Sequence, residues 1–174
     1  MRILSRVECE AWCRDHNIDL RDSGWLRPDF TSPDFHRVKI PYEGDSGRKV
    51  WLANLFYSLV PPAPETLLWI QDFEVWPSSQ HLPLFTRFRQ ALGESRSLYD
   101  APGHLVTSSD SEDSVSIIAT SLLFLWDCYG ITSSGRDAFH VSHDEYCWFA
   151  TRDAELAAQT AQEVSSAATS TPTI

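Results

Sequence analysis

SSDSEDSVSIIATSLLFLWDCYG, residues 108–130, is the stretch on which the reading of the fold turns. Ser109 followed by Glu112 has the spacing of a reciprocal cap on orphan backbone N–H groups. Asp110, Glu112 and Asp113 would sit favourably at the positive end of a helix dipole. The following Val115, Ile117, Ile118, Ala119 and Leu122–Trp126 are too many apolar residues for a single stripe, so the helix is expected to be covered on most of its circumference. The stretch therefore predicts a central apolar helix over 110–130, closed by Gly130.

Upstream, Ser5 and Glu8 repeat the capping-box spacing and predict a helix over 5–16, with Asn17 able to end it in the left-handed region. Residues 18–34 carry Gly24, Pro28 and Pro33 and read as a long connection, pinned by Trp25, Leu26 and Phe30. FHRVKIPY, residues 35–42, alternates Val38 and Ile40 with Arg37 and Lys39, the pattern of a half-exposed strand. A helix then carries Trp51, Leu52, Leu55, Phe56 and Leu59 on one face until Pro61 and Pro62 stop it. LLWIQDFEVW, residues 67–76, is the clearest strand. It is followed by a helix with Leu84, Phe85, Phe88 and Leu92 at helical spacing.

His104–Thr107 predicts a short strand before the central helix. Phe139–Val141 and Tyr146–Ala150 predict a C-terminal β-hairpin. The alternation implies an α/β or α+β single-domain sandwich over 1–153, with a mixed sheet of about four to five strands. Residues 154–174 read as a helical extension to about Val164, followed by a loose Ser/Thr/Ala tail.

The 174-residue chain carries 24 acidic and 14 basic side chains, a formal charge of −10. That balance disfavours a nucleic-acid backbone as partner and favours a basic protein. Between Asp110 and Glu155 there are nine carboxylates against only Arg136 and Arg152. Cys9, Cys13, Cys128 and Cys147 form no C-x-x-C pair and read as free, buried thiols. With no apolar h-region near Met1 and no run long enough to span a bilayer, the chain reads as cytoplasmic. The seven tryptophans either fill the core or line an aromatic pocket.

Three groups of residues carry ligand or acid–base chemistry. His140, His143, Asp144 and Glu145 are the right donors for a transition metal, although only a turn could bring both rings together. Asp72 and Glu74, two apart on one strand, share a face. Asp127 would lie near the negative end of the central helix, where a carboxylate needs a compensating partner. No phosphate-cradling, dinucleotide or nucleophile-elbow motif is present, and no cofactor is implied. The sequence thus reads as a non-enzymatic, cytoplasmic protein-interaction module with an acidic surface, binding or neutralising a basic partner, with LLWIQDFEVW and the following WPSSQH as its binding edge. The alternative is a metal-dependent hydrolase using Asp72, Glu74, His140 and His143.

Overall fold

The computed structural model describes residues 1–22, 24, 26–42, 46–73 and 78–169. In chain order the elements are β1 (Arg2–Leu4), α1 (Arg6–Asp15), β2 (Leu20–Asp22), β3 (Leu26–Pro28), β4 (His36–Pro41), α2 (Ser46–Leu59) and β5 (Glu65–Asp72). They continue with α3 (Leu82–Ala91), β6 (Gly103–Thr107), α4 (Ser111–Phe124), β7 (Asp127–Thr132), β8 (Asp137–Ser142), β9 (Tyr146–Thr151) and α5 (Ala154–Thr169). Seven strands make one sheet in the order β1-β6-β5-β7-β8-β9-β4, and β2–β3 form a separate hairpin.

Every ladder in the large sheet is antiparallel. The expected mixed sheet of four to five strands is therefore corrected to an antiparallel sheet of seven. Alternating strands and helices imply parallel pairing only when each helix carries the chain back across the sheet. Here the connection through α3 leaves β5 and enters β6 at the same end, so the two neighbours run in opposite directions. β5 is also paired on both sides, by β6 and β7, which removes it as a binding edge. Trp76 and Pro77, the start of WPSSQH, lie outside the described residues.

The central helix is shorter than 110–130. It ends at Phe124, with Leu125 left-handed at φ 55° and the Trp126 amide donating back to Ser121 O at 2.9 Å. Residues 127–132 instead form the strand β7, buried at all six positions. A strand covered on both faces shows no polar alternation, so its apolar run merges with that of the helix before it. The capping box also sits earlier, between Thr107 and Asp110, on a short 3-10 turn leading into α4. At α1 the Ser5–Glu8 box and the left-handed Asn17 are both present. α5 runs five residues past Val164, and residues 170–174 lie outside the described set.

The two faces of the sheet are covered differently. One packs Leu68, Ile70, Val106, Phe139, Val141 and Phe149 against Leu52 and Phe56 of α2, Ile117, Ile118 and Leu122 of α4, Phe85 of α3 and Val164 of α5. The other packs Leu67, Trp69, Leu105 and Ile131 against Cys9, Trp12 and Cys13 of α1. That second cover reaches only the β1-β6-β5-β7 half. On the remaining half the β2–β3 hairpin stands over the sheet, tied down where Gln71 Nε2 donates to Leu26 O at 3.1 Å.

Gly130 is where the helix-side core closes most tightly. The Phe139 ring lies directly on it and stacks in turn on Phe56, with centroids 4.7 Å apart. A methyl group at Gly130 would overlap that ring. Gly130→Ala is expected to cost about 1–3 kcal/mol as the ring is displaced, and less in a Phe139→Leu background. Urea unfolding of the single and double variants measures both, and an unchanged midpoint for Gly130→Ala would contradict this packing.

Candidate functional site

The β8–β9 turn gathers several of the sequence-predicted residues around Asp127, which is 2% exposed at the start of β7. The His143 amide donates to Asp127 Oδ1 at 2.8 Å, and His143 Nδ1 lies 2.8 Å from the same oxygen. His140 Nε2 is 3.7 Å from Asp127 Oδ2, and His143 Nε2 is 3.6 Å from Asp144 Oδ1. Asp72 lies across the β5–β7 ladder from Asp127, beyond a bulge. Glu145 takes the left-handed turn position at φ 60°, and its carbonyl accepts from the Tyr42 amide at 3.1 Å. Glu74 lies outside the described residues.

The turn therefore brings the two imidazoles to one carboxylate, but it does not build a metal centre. Among the described residues, no group of three or more His, Cys, Asp or Glu side chains is arranged to hold an ion. The arrangement is an ionic clamp. Burial by itself would raise Asp127, yet His140 and His143 outweigh it and hold the carboxyl below its usual range. For His143 burial opposes the charge, but Asp127, Asp144 and Asp72 prevail and raise its pKa. Asp127 opens a strand three residues past the end of α4, and its compensating partners are these histidines.

A concave site opens beside this clamp, on the half of the sheet that α1 leaves uncovered. Strand alternation and register place Trp69, Tyr129, His140, Trp148 and Lys39 in one row across β5-β7-β8-β9-β4. Tyr129 and His140 stack with centroids 4.3 Å apart. The next row is Ile131, Ala138, Ala150 and Arg37, and its two small side chains make a depression in the sheet. Over it stand Arg21, Arg27, Pro28, Asp29 and Phe30 from the hairpin and the segment after it, enclosing about 230 Å³.

The charge of this pocket is opposite to that of the chain. Arg21, Arg27 and Arg37 line it, and none of them makes a salt bridge with a described carboxylate. Arg27 Nε is buried without a hydrogen-bond partner, while His140 Nε2 is turned to Asp127 at 3.7 Å. Arg37 lies 5.2 Å from the Trp148 ring centroid, and Lys39 lies 4.5 Å from that of Tyr146. The one lining carboxylate, Asp29, accepts from the Thr31 hydroxyl at 2.7 Å and its amide at 2.9 Å. Those bonds, with Arg21 and Arg37 nearby, keep it ionised below the usual range despite its partial burial. Burial pushes the Tyr129 hydroxyl up to about 12, opposed in part by Arg27.

Among the described residues, no thiol lines this space. All four cysteines are free and buried. Burial raises every one of their thiols, Cys13 and Cys128 to about 12. The lining hydroxyl of Thr31 is engaged with Asp29. The site can hold an anion and cover an apolar group.

Comparison with known proteins finds no matching family model, no similar curated protein and no solved structure of similar fold. The site was only partly foreseen from sequence. His140 was singled out for its donor chemistry. Arg37 and Lys39 were placed on the polar side of their strand, and Phe30 was expected to pin the loop. Arg21 and Arg27 gave no local signal, because their convergence on β8 and β9 depends on where the hairpin folds.

The clamp gives a pH signature with a definite sign. His143, raised on folding, contributes stability that is fully present below about pH 6.5, its unfolded value, and is lost as pH climbs through the folded pKa. Asp127, lowered on folding, contributes stability that is present above about pH 3.9 and is lost as pH falls through its folded pKa. Both contributions are complete only between about pH 4 and 6.5. Asp127→Asn is expected to cost about 1–3 kcal/mol within that window and to flatten the profile. Chemical denaturation across pH checks this, and an unaltered profile would contradict it.

Proposed function

We propose that this chain is a non-enzymatic recognition module that receives a negatively charged group on the open half of its sheet, beneath the β2–β3 hairpin. The observation that carries this reading is the convergence of Arg21, Arg27 and Arg37, without salt-bridging carboxylates among the described residues, on an aromatic-floored pocket. A guanidinium left out of salt bridges in a largely acidic chain is stabilised by an incoming anion more than by any neutral ligand. No cysteine is among the lining residues, which supports binding over thiol chemistry.

The net charge of −10 supports attraction of a basic partner to the rest of the surface. It supplies no concave site, whereas the pocket has both shape and charge and selects for the opposite sign. No helix among the described residues is long and apolar enough to cross a membrane.

Backbone-amide NMR titrations with hexaglutamate and with hexalysine separate the two readings. Hexaglutamate is expected to shift resonances of Ala138–Trp148 and of the hairpin. An Arg27→Glu/Arg37→Glu variant is expected to lose those shifts while keeping a folded spectrum. Shifts with hexalysine alone, spread over the helical side, would overturn the assignment.

A further inference from the structure

We propose that the pocket binds a small ligand made of a flat aromatic ring carrying a phosphoryl group. The inference rests on reading the open half of the sheet as the recognition surface, and it names the ligand chemistry.

Charge comes first. Three lining guanidinium groups against the single Asp29 carboxylate leave a charge of about +2 in the pocket. A phosphate monoester carries about −1.5 to −2 near neutral pH and offers three strong acceptor oxygens. One carboxylate would neutralise only half of that charge and engage fewer donors. Arginine also suits phosphate better than lysine does, because its planar fork binds two oxygens at once.

Size and shape come second. Drug-sized ligands fill pockets of roughly 300–1,000 Å³, so about 230 Å³ suits one ring with its phosphate rather than a long chain. Ala138 and Ala150, 0% and 3% exposed, lie covered at the base of the pocket, so the surface left for a ligand is mainly that of His140, Tyr146 and Trp148. Pro28 and Phe30 close the space from the hairpin side. A flat ring laid against His140, Tyr146 and Trp148 would bury apolar surface, which a bare inorganic anion cannot do. Asp29, held ionised, is a fixed acceptor for an N–H or O–H on the ring or on an attached sugar.

Isothermal titration calorimetry on the full chain tests the proposal. The aromatic phosphates are phenyl phosphate, AMP, UMP and free phosphotyrosine, and the controls are inorganic phosphate and adenosine. The aromatic phosphates are expected to bind saturably and at least about tenfold more tightly than either control. Arg27→Ala and Arg37→Ala are each expected to weaken them about tenfold, with thermal unfolding reporting that the fold is kept. Trp148→Ala, which removes ring surface from the pocket and spares the arginines, is expected to abolish the preference over inorganic phosphate.

AMP and UMP binding above phosphotyrosine would place the source among nucleotides, and the reverse would place it among phosphotyrosines; either supports the ring-phosphate chemistry. Equal affinity for inorganic and aromatic phosphate, or unchanged binding in both arginine variants, would overturn it. If hexaglutamate shifts the pocket while no aromatic phosphate binds, the ligand class fails and the recognition surface stands. If neither binds, both fail.

Discussion

A seven-stranded antiparallel sheet has two faces to cover, and this chain covers them unequally. Four helices close one face along its width, through Phe56, Phe85, Ile117 and Val164. On the other face the ten-residue helix α1 seals the β1-β6-β5-β7 half, and among the described residues no helix packs there on β8, β9 and β4. Those three strands must present something to solvent on that side. Their sequences present His140, Tyr146, Trp148, Arg37 and Lys39, with Ala138 and Ala150 between them. The β2–β3 hairpin turns this partly bare surface into a pocket.

Two devices hold that surface in shape. The Asp127 clamp fixes the β8–β9 turn from within the sheet by binding both the His143 backbone and its ring. It thereby sets the end of the strand that carries His140. The hairpin is held by Gln71 reaching Leu26 O, and past its second strand by Asp29, whose amide donates to Asp19 O at 2.8 Å and whose carboxylate accepts from Thr31. Asp29 offsets one of the three guanidinium charges, and no other carboxylate among the described residues lines the pocket. The cationic character of the pocket follows from three arginines set against that one carboxylate.

Much of this architecture was legible locally. Ser5 and Glu8, Asn17 and the alternation in FHRVKIPY and in the 138–150 hairpin all specify their elements from within a few residues. What failed to read was long-range. Asp127–Thr132 is buried on both faces, so it lacks the period-two signal and joins the helix before it. The awkward carboxylate at Asp127 was itself the clue that the helix had ended, since it opposed both burial and dipole. The antiparallel order depends on which end of the sheet the α3 connection returns to, and no residue type encodes that. The site followed the same rule: His140, Arg37 and Trp148 were each visible on their own strands, while their meeting with Arg21 and Arg27 is a property of the folded sheet.

The central claim is that a locally positive, aromatic pocket sits on a chain of charge −10. Fluorescence quenching by iodide and by caesium at low ionic strength, taken as the difference between the wild type and Trp148→Phe, reads the sign of the potential at Trp148 directly. The account predicts that the Trp148 component is quenched more efficiently by iodide than by caesium, against the trend set by the net charge. A component quenched preferentially by caesium would contradict it.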